Sequence, residues 1–221
     1  MRKTMALAAA LFLSACGQSE SGSTASAAAD NGPVGKPVLV LAFGDSLFAG
    51  YNLTRAQAYP SQLEMALRER GINARIQNAG VSGDTTGAGR QRLSFVLDSM
   101  TTPPDIALVE LGANDMLRGL SPAQARGNLD AIMAELDRRD IDIVVMEMRA
   151  APNLGSDYRS EFDAIFPDLA DKYDADLVPF FIEPLLTDRS LVQNDQVHPT
   201  AEGVKAMVSH SVDEIADAIE D

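Results

Sequence analysis

The feature that most constrains this fold is an unbroken apolar run, Val38-Leu39-Val40-Leu41-Ala42-Phe43, that stops abruptly at Gly44-Asp45-Ser46-Leu47. A short continuous apolar run bounded by turn residues reads as a strand buried on both faces, as in a parallel sheet. The turn therefore opens at the strand's carboxyl end, the edge of open α/β sheets where ligands bind. A serine there presents its hydroxyl beside the start of the next helix, the placement an acyl-transfer nucleophile needs. Gly, Asp and Ser are also ordinary turn residues, so the tripeptide alone leaves a plain strand-to-helix turn open.

The remainder alternates strands and helices. Residues 57–70 place Tyr59, Leu63, Ala66 and Leu67 on one helical face, with Gly71 as C-cap. Ala74-Arg75-Ile76-Gln77-Asn78 is a second, less apolar strand, and Leu93, Val96 and Leu97 mark the next helix. Ile106-Ala107-Leu108-Val109-Glu110-Leu111 is a third strand, stopping at Gly112. Ser121-Pro122-Ala123-Gln124 combines an N-cap, a first-turn proline and a capping-box glutamine. The helix it opens carries Leu129, Ile132, Met133 and Leu136. A fourth strand covers 141–146. A helix lined by Tyr158, Phe162, Ile165, Phe166 and Leu169 follows, kinked by Pro167. Residues 177–181 are a fifth strand or its edge, and 200–219 the closing helix. Strict alternation predicts an α/β domain: a three-layer α/β/α sandwich with a five-stranded parallel sheet.

The first residues read as a targeting segment. Arg2 and Lys3 precede a short apolar run ending Leu13-Ser14-Ala15-Cys16, the plan of a secretory signal. That run falls short of the ~20 residues a spanning helix needs. Leu-Ser-Ala-Cys resembles a bacterial lipobox, which implies cleavage before Cys16 and lipidation of that residue; a conventional signal with an incidental cysteine is the alternative. Cys16 is the only cysteine, so no intrachain disulfide can form. Residues 16–37 are rich in Ser, Ala and Gly and read as a flexible tether. The expected organisation is thus a signal over 1–15, a tether over 16–37 and one domain over 38–221. The formal net charge is −14, and −16 once the signal's two cations are removed. No basic cluster interrupts it, which argues against nucleic-acid partners.

Three further stretches fall just past strand ends, on the same sheet edge as Ser46. They are Asn78-Ala79-Gly80-Val81-Ser82-Gly83-Asp84-Thr85, Gly112-Ala113-Asn114-Asp115 and Asp195-Gln196-Val197-His198-Pro199. With Gly44-Asp45-Ser46-Leu47 they resemble, in order, the four blocks of the Gly-Asp-Ser-Leu (SGNH) hydrolases. The likeness is nearest to the bacterial arylesterase, thioesterase and lysophospholipase branch. It implies a flavodoxin-like strand order and hydrolysis of small aryl or acyl esters, thioesters or lysophospholipids. It also implies Ser46 as nucleophile, His198 as its base and Asp195 as the carboxylate that orients the ring. The implied oxyanion donors are the N–H groups of Ser46 and Gly83 and the Asn114 side-chain amide.

Simpler roles stay open residue by residue: a positive φ at Gly83, an Asx turn from Asn114 to Asp115, and capping of the last helix by Asp195 and His198. Asp45, Asp84 and Asp115 read as loop-ordering acceptors. His210, the other histidine, falls on the wet face of the closing helix. Ala151-Pro152-Asn153-Leu154-Gly155 with Tyr158 resembles the corresponding loop of arylesterase-like members, where thioesterase-like members carry Leu-Pro. There is no Gly-x-Ser-x-Gly elbow, His-Glu-x-x-His motif or phosphate loop. No cofactor and no metal are expected. The expected substrate is a small-molecule or lipid ester, met at the periplasmic face of the outer membrane if Cys16 carries the anchor. A glycan or peptidoglycan O-deacetylase and a non-catalytic acyl-binding lipoprotein are the competing functions.

Overall fold

The computed structural model describes Pro33 and residues 35–220. The expected signal over 1–15, Cys16 and the expected tether through residue 32, with residue 34, lie outside the described residues.

Strand β1 (Val38–Gly44) is flanked by β2 (Ala74–Asn78) and β3 (Ile106–Glu110). The sheet continues through β4 (Asp142–Met146) to β5 (Asp176–Val178). The order is β2-β1-β3-β4-β5, every pair parallel. The expected three-layer architecture is thus borne out. β3 is buried throughout and β1 along most of its length, as runs of apolar side chains covered on both faces must be. β2 lies at an edge, and its exposed Arg75, Gln77 and Asn78 explain its weaker apolar signal.

Helices α2 (Tyr59–Glu69) and α9 (Ala201–Glu220) pack together, as do α3 (Thr86–Ser99) and α5 (Pro122–Asp137). A capping box at Ser121 and Gln124 starts α5, as its sequence predicts. Aromatic side chains fill the space between α2 and the sheet. Tyr59 stacks on Phe48 at 5.2 Å and meets Phe181 edge-on at 5.5 Å.

Two boundaries differ from expectation. The kinked helix is two helices, α6 (Ser156–Asp163) and α7 (Ile165–Tyr173). Pro167 lacks the N–H that would bond the Asp163 carbonyl, and its ring crowds that carbonyl, so the break falls where α6 ends. The fifth strand stops at Val178 because Pro179 cannot donate to a ladder. Phe180 and Phe181 turn into the core from the following loop.

The chain leaves β1 for β2 on one side and returns to β3 on the other. The switch point thus lies between β1 and β3, where α/β sheets form their ligand crevice. Gly44 and Glu110 end their strands opposite each other there.

Candidate active site

Asp45 organises the turn after β1. Its Oδ1 accepts the Leu47 N–H at 3.0 Å and so caps the one-turn helix α1 (Ser46–Ala49). Gly50, in the left-handed region at φ 76°, ends that helix at once. Ser46 is its first residue, and a first-turn N–H has no intrahelical partner. Among the described residues the Ser46 N–H donates to nothing.

The loop after β2 is bound to this turn. Asn78 Nδ2 donates to the Phe48 carbonyl at 2.7 Å, and Val81 N–H donates to the Gly44 carbonyl at 3.0 Å. A turn closed by Asp84 N–H on the Val81 carbonyl holds Gly83 at φ 85°, which a Cβ would strain. Arg118 Nη2 donates to the Gly83 carbonyl at 2.6 Å, and the Gly83 N–H is unpaired among the described residues. Arg92 reaches from α3 to Asp84 at 2.6 Å and to the Gly44 carbonyl at 3.0 Å.

After β3, Gly112 enters helix α4 (Ala113–Leu117). Asn114 Nδ2 donates to Asp45 Oδ2 at 2.8 Å. One amide hydrogen is thereby anchored and the second is left over. Buried Asp115 instead accepts the Thr86 N–H at 2.7 Å and the Thr86 hydroxyl at 2.6 Å. Asn114 therefore does not form the alternative Asx turn. All three aspartates read as loop-ordering acceptors act as such.

The last block lies between β5 and α9, but not directly past the strand end where the sequence reading put it. The short helix α8 (Glu183–Thr187) and a turn at Arg189–Leu191 intervene, because β5 already stops at Val178. Gln193 N–H donates to the His198 carbonyl at 2.7 Å, and Gln193 Nε2 to the carbonyls of Tyr51 and Pro199 at 2.9 and 2.8 Å. Asp195 Oδ1 accepts the N–H groups of Val197 and His198, both at 3.0 Å. Its Oδ2 lies 2.8 Å from His198 Nδ1, and His198 Nε2 lies 2.9 Å from Ser46 Oγ. The His198 and Val197 N–H groups, with the imidazole, push the Asp195 carboxyl down to about 2. An ionised carboxylate can only accept, so Nδ1 carries the proton and Nε2 is free to accept from the Ser46 hydroxyl. Capping of α9 falls to Thr200, whose Oγ1 accepts the Gly203 N–H at 3.1 Å.

The structure thus brings Ser46, Asp195 and His198 into one hydrogen-bonded chain, with Gly83 on the adjoining loop after β2 and Asn114 at the start of α4. His210 is exposed on α9, 3.5 Å from Glu183, and takes no part. Four residues that sequence reasoning passed over support the site. The Tyr51 ring stacks on the His198 ring at 4.2 Å; Arg118 and Gln193 tie the loops; Glu110 accepts the Asp45 N–H at 3.0 Å. Glu110 alone left a signal, a charged residue inside an otherwise apolar strand. Among the described residues no cluster of three or more His, Cys, Asp or Glu side chains could hold a metal ion. No helix there is long and apolar enough to cross a membrane.

Comparison with known proteins agrees with this geometry. Residues 42–206 match the model of the GDSL-like lipase/acylhydrolase family. An arylesterase of Vibrio mimicus is 40% identical over 163 residues, covering 74% of this chain and 80% of the relative. Thioesterase 1/protease 1/lysophospholipase L1 of Escherichia coli K12 is 36% identical over 160 residues, covering 72% and 74% respectively. The crystal structure of AlinE4, described as an SGNH-hydrolase family esterase, superposes with a TM-score of 0.72. It is 59% identical and covers 84% of this chain and 98% of AlinE4. The resemblance read from the four blocks is borne out.

Proposed function

Because the chain belongs to the GDSL-like lipase/acylhydrolase family, we propose that it hydrolyses carboxylic esters through an acyl-enzyme on Ser46. The observation that carries this reading is the Asp195–His198–Ser46 chain, with links of 2.8 and 2.9 Å. The proposal agrees with the esterase, arylesterase and thioesterase names of its relatives.

As Ser46 Oγ bonds to the ester carbonyl carbon, its proton passes to His198 Nε2, and Asp195 balances the imidazolium. The carbonyl oxygen becomes an oxyanion. Its donors are the otherwise unpaired N–H groups of Ser46 and Gly83 and the second amide hydrogen of Asn114. Collapse of the intermediate breaks the bond to the leaving alkoxide, which takes the proton from His198. Water then enters by the same route in reverse order of roles, releasing the acid and restoring Ser46. Exposed Tyr51, Val81 and Val197 lie on the loops, and exposed Leu117 at the end of α4, in the segments that carry the four blocks. They favour apolar acyl or aryl groups over glycan esters.

The proposal includes export and anchoring through a lipidated Cys16, on the strength of residues 1–16 alone. One acyl chain gives marginal membrane binding and two or more give stable anchoring; mass spectrometry of the mature N-terminus tests it. The activity is tested by turnover of p-nitrophenyl acetate and butyrate. The protein should release p-nitrophenol and the Ser46→Ala variant should not, whereas absence of turnover on a chain-length series would overturn the assignment.

A further inference from the structure

Glu110 is a buried carboxyl that the proposed reaction does not use. It ends β3 directly opposite Gly44 and is completely buried. A Cβ on Gly44 would lie 2.5 Å from Glu110 Oε2 and 2.8 Å from the Phe48 ring, so the carboxyl is pressed against the β1–α1 turn. Oε2 accepts the Asp45 N–H at 3.0 Å, while Oε1 is buried with no hydrogen-bond partner among the described residues.

Asp45, 1% exposed, shares this site with it. Two carboxyls in contact in a dry site cannot both ionise. Their surroundings decide which keeps the proton. Asp45 collects the Leu47 N–H, the Asn114 amide and, at 3.4 Å, the Ser46 hydroxyl. Glu110 receives one N–H. Burial, and then the Asp45 charge, hold Glu110 well above the usual carboxylate range. Burial raises Asp45 as well, but the donors from Leu47, Glu110, Asn114 and Ser46 oppose it.

The other groups nearby are occupied elsewhere. Tyr59, on α2, turns its hydroxyl to Ser211 of α9 at 2.6 Å, and burial pushes that phenol up. Arg92, on α3, binds the Gly44 carbonyl and Asp84. Among the described residues no cation donates to Glu110.

We propose that Glu110 is a neutral carboxylic acid in the working enzyme, that it shares its proton with the neighbouring Asp45 carboxylate, and that this shared proton positions Asn114 and the Ser46 turn. The proposal rests on the reading of Ser46 and Asn114 as parts of the reaction centre. Glu110 touches no reacting atom and acts through Asp45. Loss of its proton sets two anions against each other under the turn, so activity falls at alkaline pH by disordering the oxyanion donors.

The test uses the full chain with Glu110→Gln and Glu110→Leu. Glutamine keeps an acceptor for the Asp45 N–H and a donor for its carboxylate, now unable to ionise. It should retain kcat within about threefold at pH 7 and lose the alkaline fall, whereas leucine should lose roughly 10–100-fold in kcat with little change in KM. Infrared spectra of the wild type at pH 7 should show the carbonyl stretch of a neutral carboxylic acid, absent in Glu110→Gln. No such band, a band that survives in Glu110→Gln, or a glutamine variant as impaired as the leucine one would overturn the proposal and leave the triad standing. Turnover retained by Ser46→Ala would instead overturn the reaction centre, and the positioning role with it.

Discussion

Replacing Asn114 by alanine separates the catalytic contribution of its amide from the structural one. Structurally, the change removes the 2.8 Å donation to Asp45 Oδ2. Hydrogen bonds to charged groups contribute about 1.5–3 kcal/mol. Here the loss should sit at the low end, because Oδ1 keeps the Leu47 N–H and water can enter beside half-buried Asn114. For a domain of this size a cost of about 1.5 kcal/mol lowers Tm by roughly 3–6 °C, and the protein stays folded at 25 °C. Catalytically, loss of one oxyanion donor costs about 10²–10³-fold in kcat, or roughly 2.7–4 kcal/mol, with KM little changed because the donor acts on charge that develops in the transition state. The assay is steady-state hydrolysis of p-nitrophenyl butyrate, with thermal melting on the same samples. A kcat within a few-fold of wild type, or a loss confined to KM, would refute the assignment of Asn114 to the oxyanion. A variant with no cooperative melt would show that its donation to Asp45 is chiefly structural.

His198→Ala should lose several orders of magnitude in kcat while His210→Ala stays near wild type, and Ser46→Ala/His198→Ala should be little worse than either single variant, since the two act as a unit; steady-state kinetics of the four proteins decides. Asp195→Asn should lower kcat by about 10³–10⁴-fold, because it removes the acceptor that fixes the tautomer of His198. Asp195 is held down at about 2, so its share of the fold's stability is present above the ordinary carboxylate range and is lost only as pH falls toward 2. Acid denaturation of the wild type should therefore begin at lower pH than that of Asp195→Asn. Gly80→Ala would drive a Cβ into the backbone of Phe48 and Ala49, displacing the helix that begins at Ser46. Both Tm and kcat should fall, by about 1–3 kcal/mol of stability.

The sheet was legible because its central strands are covered on both faces. Residues 38–43, 106–109 and 143–146 read as continuous apolar runs, and even the edge strand Ala74–Asn78 was bracketed by Gly71 and Gly80. The helix boundaries were less so. Pro167 announced a disturbance, but whether it bends one helix or divides two depends on how Phe162 and Phe166 seat in the core, at a ring separation of 5.5 Å. The site residues stood out through their blocks, the first three just beyond strand ends and the last ahead of the closing helix. What holds them together did not, because Tyr51 under His198, Arg118 on Gly83 and Gln193 on Tyr51 join segments far apart in sequence and carry no local pattern. Glu110 was visible as a charge in a buried strand, yet its meaning depends on Asp45, 65 residues away, arriving beside it at the switch point.

The most direct test of the account is to label the protein with an alkyl fluorophosphonate and map the adduct by peptide mass spectrometry. Ser46 should carry a single phosphonyl group, with labelling much slower in His198→Ala, unchanged in His210→Ala and absent in Ser46→Ala. Phosphonylation at another residue, or stoichiometric labelling of Ser46→Ala, would contradict it.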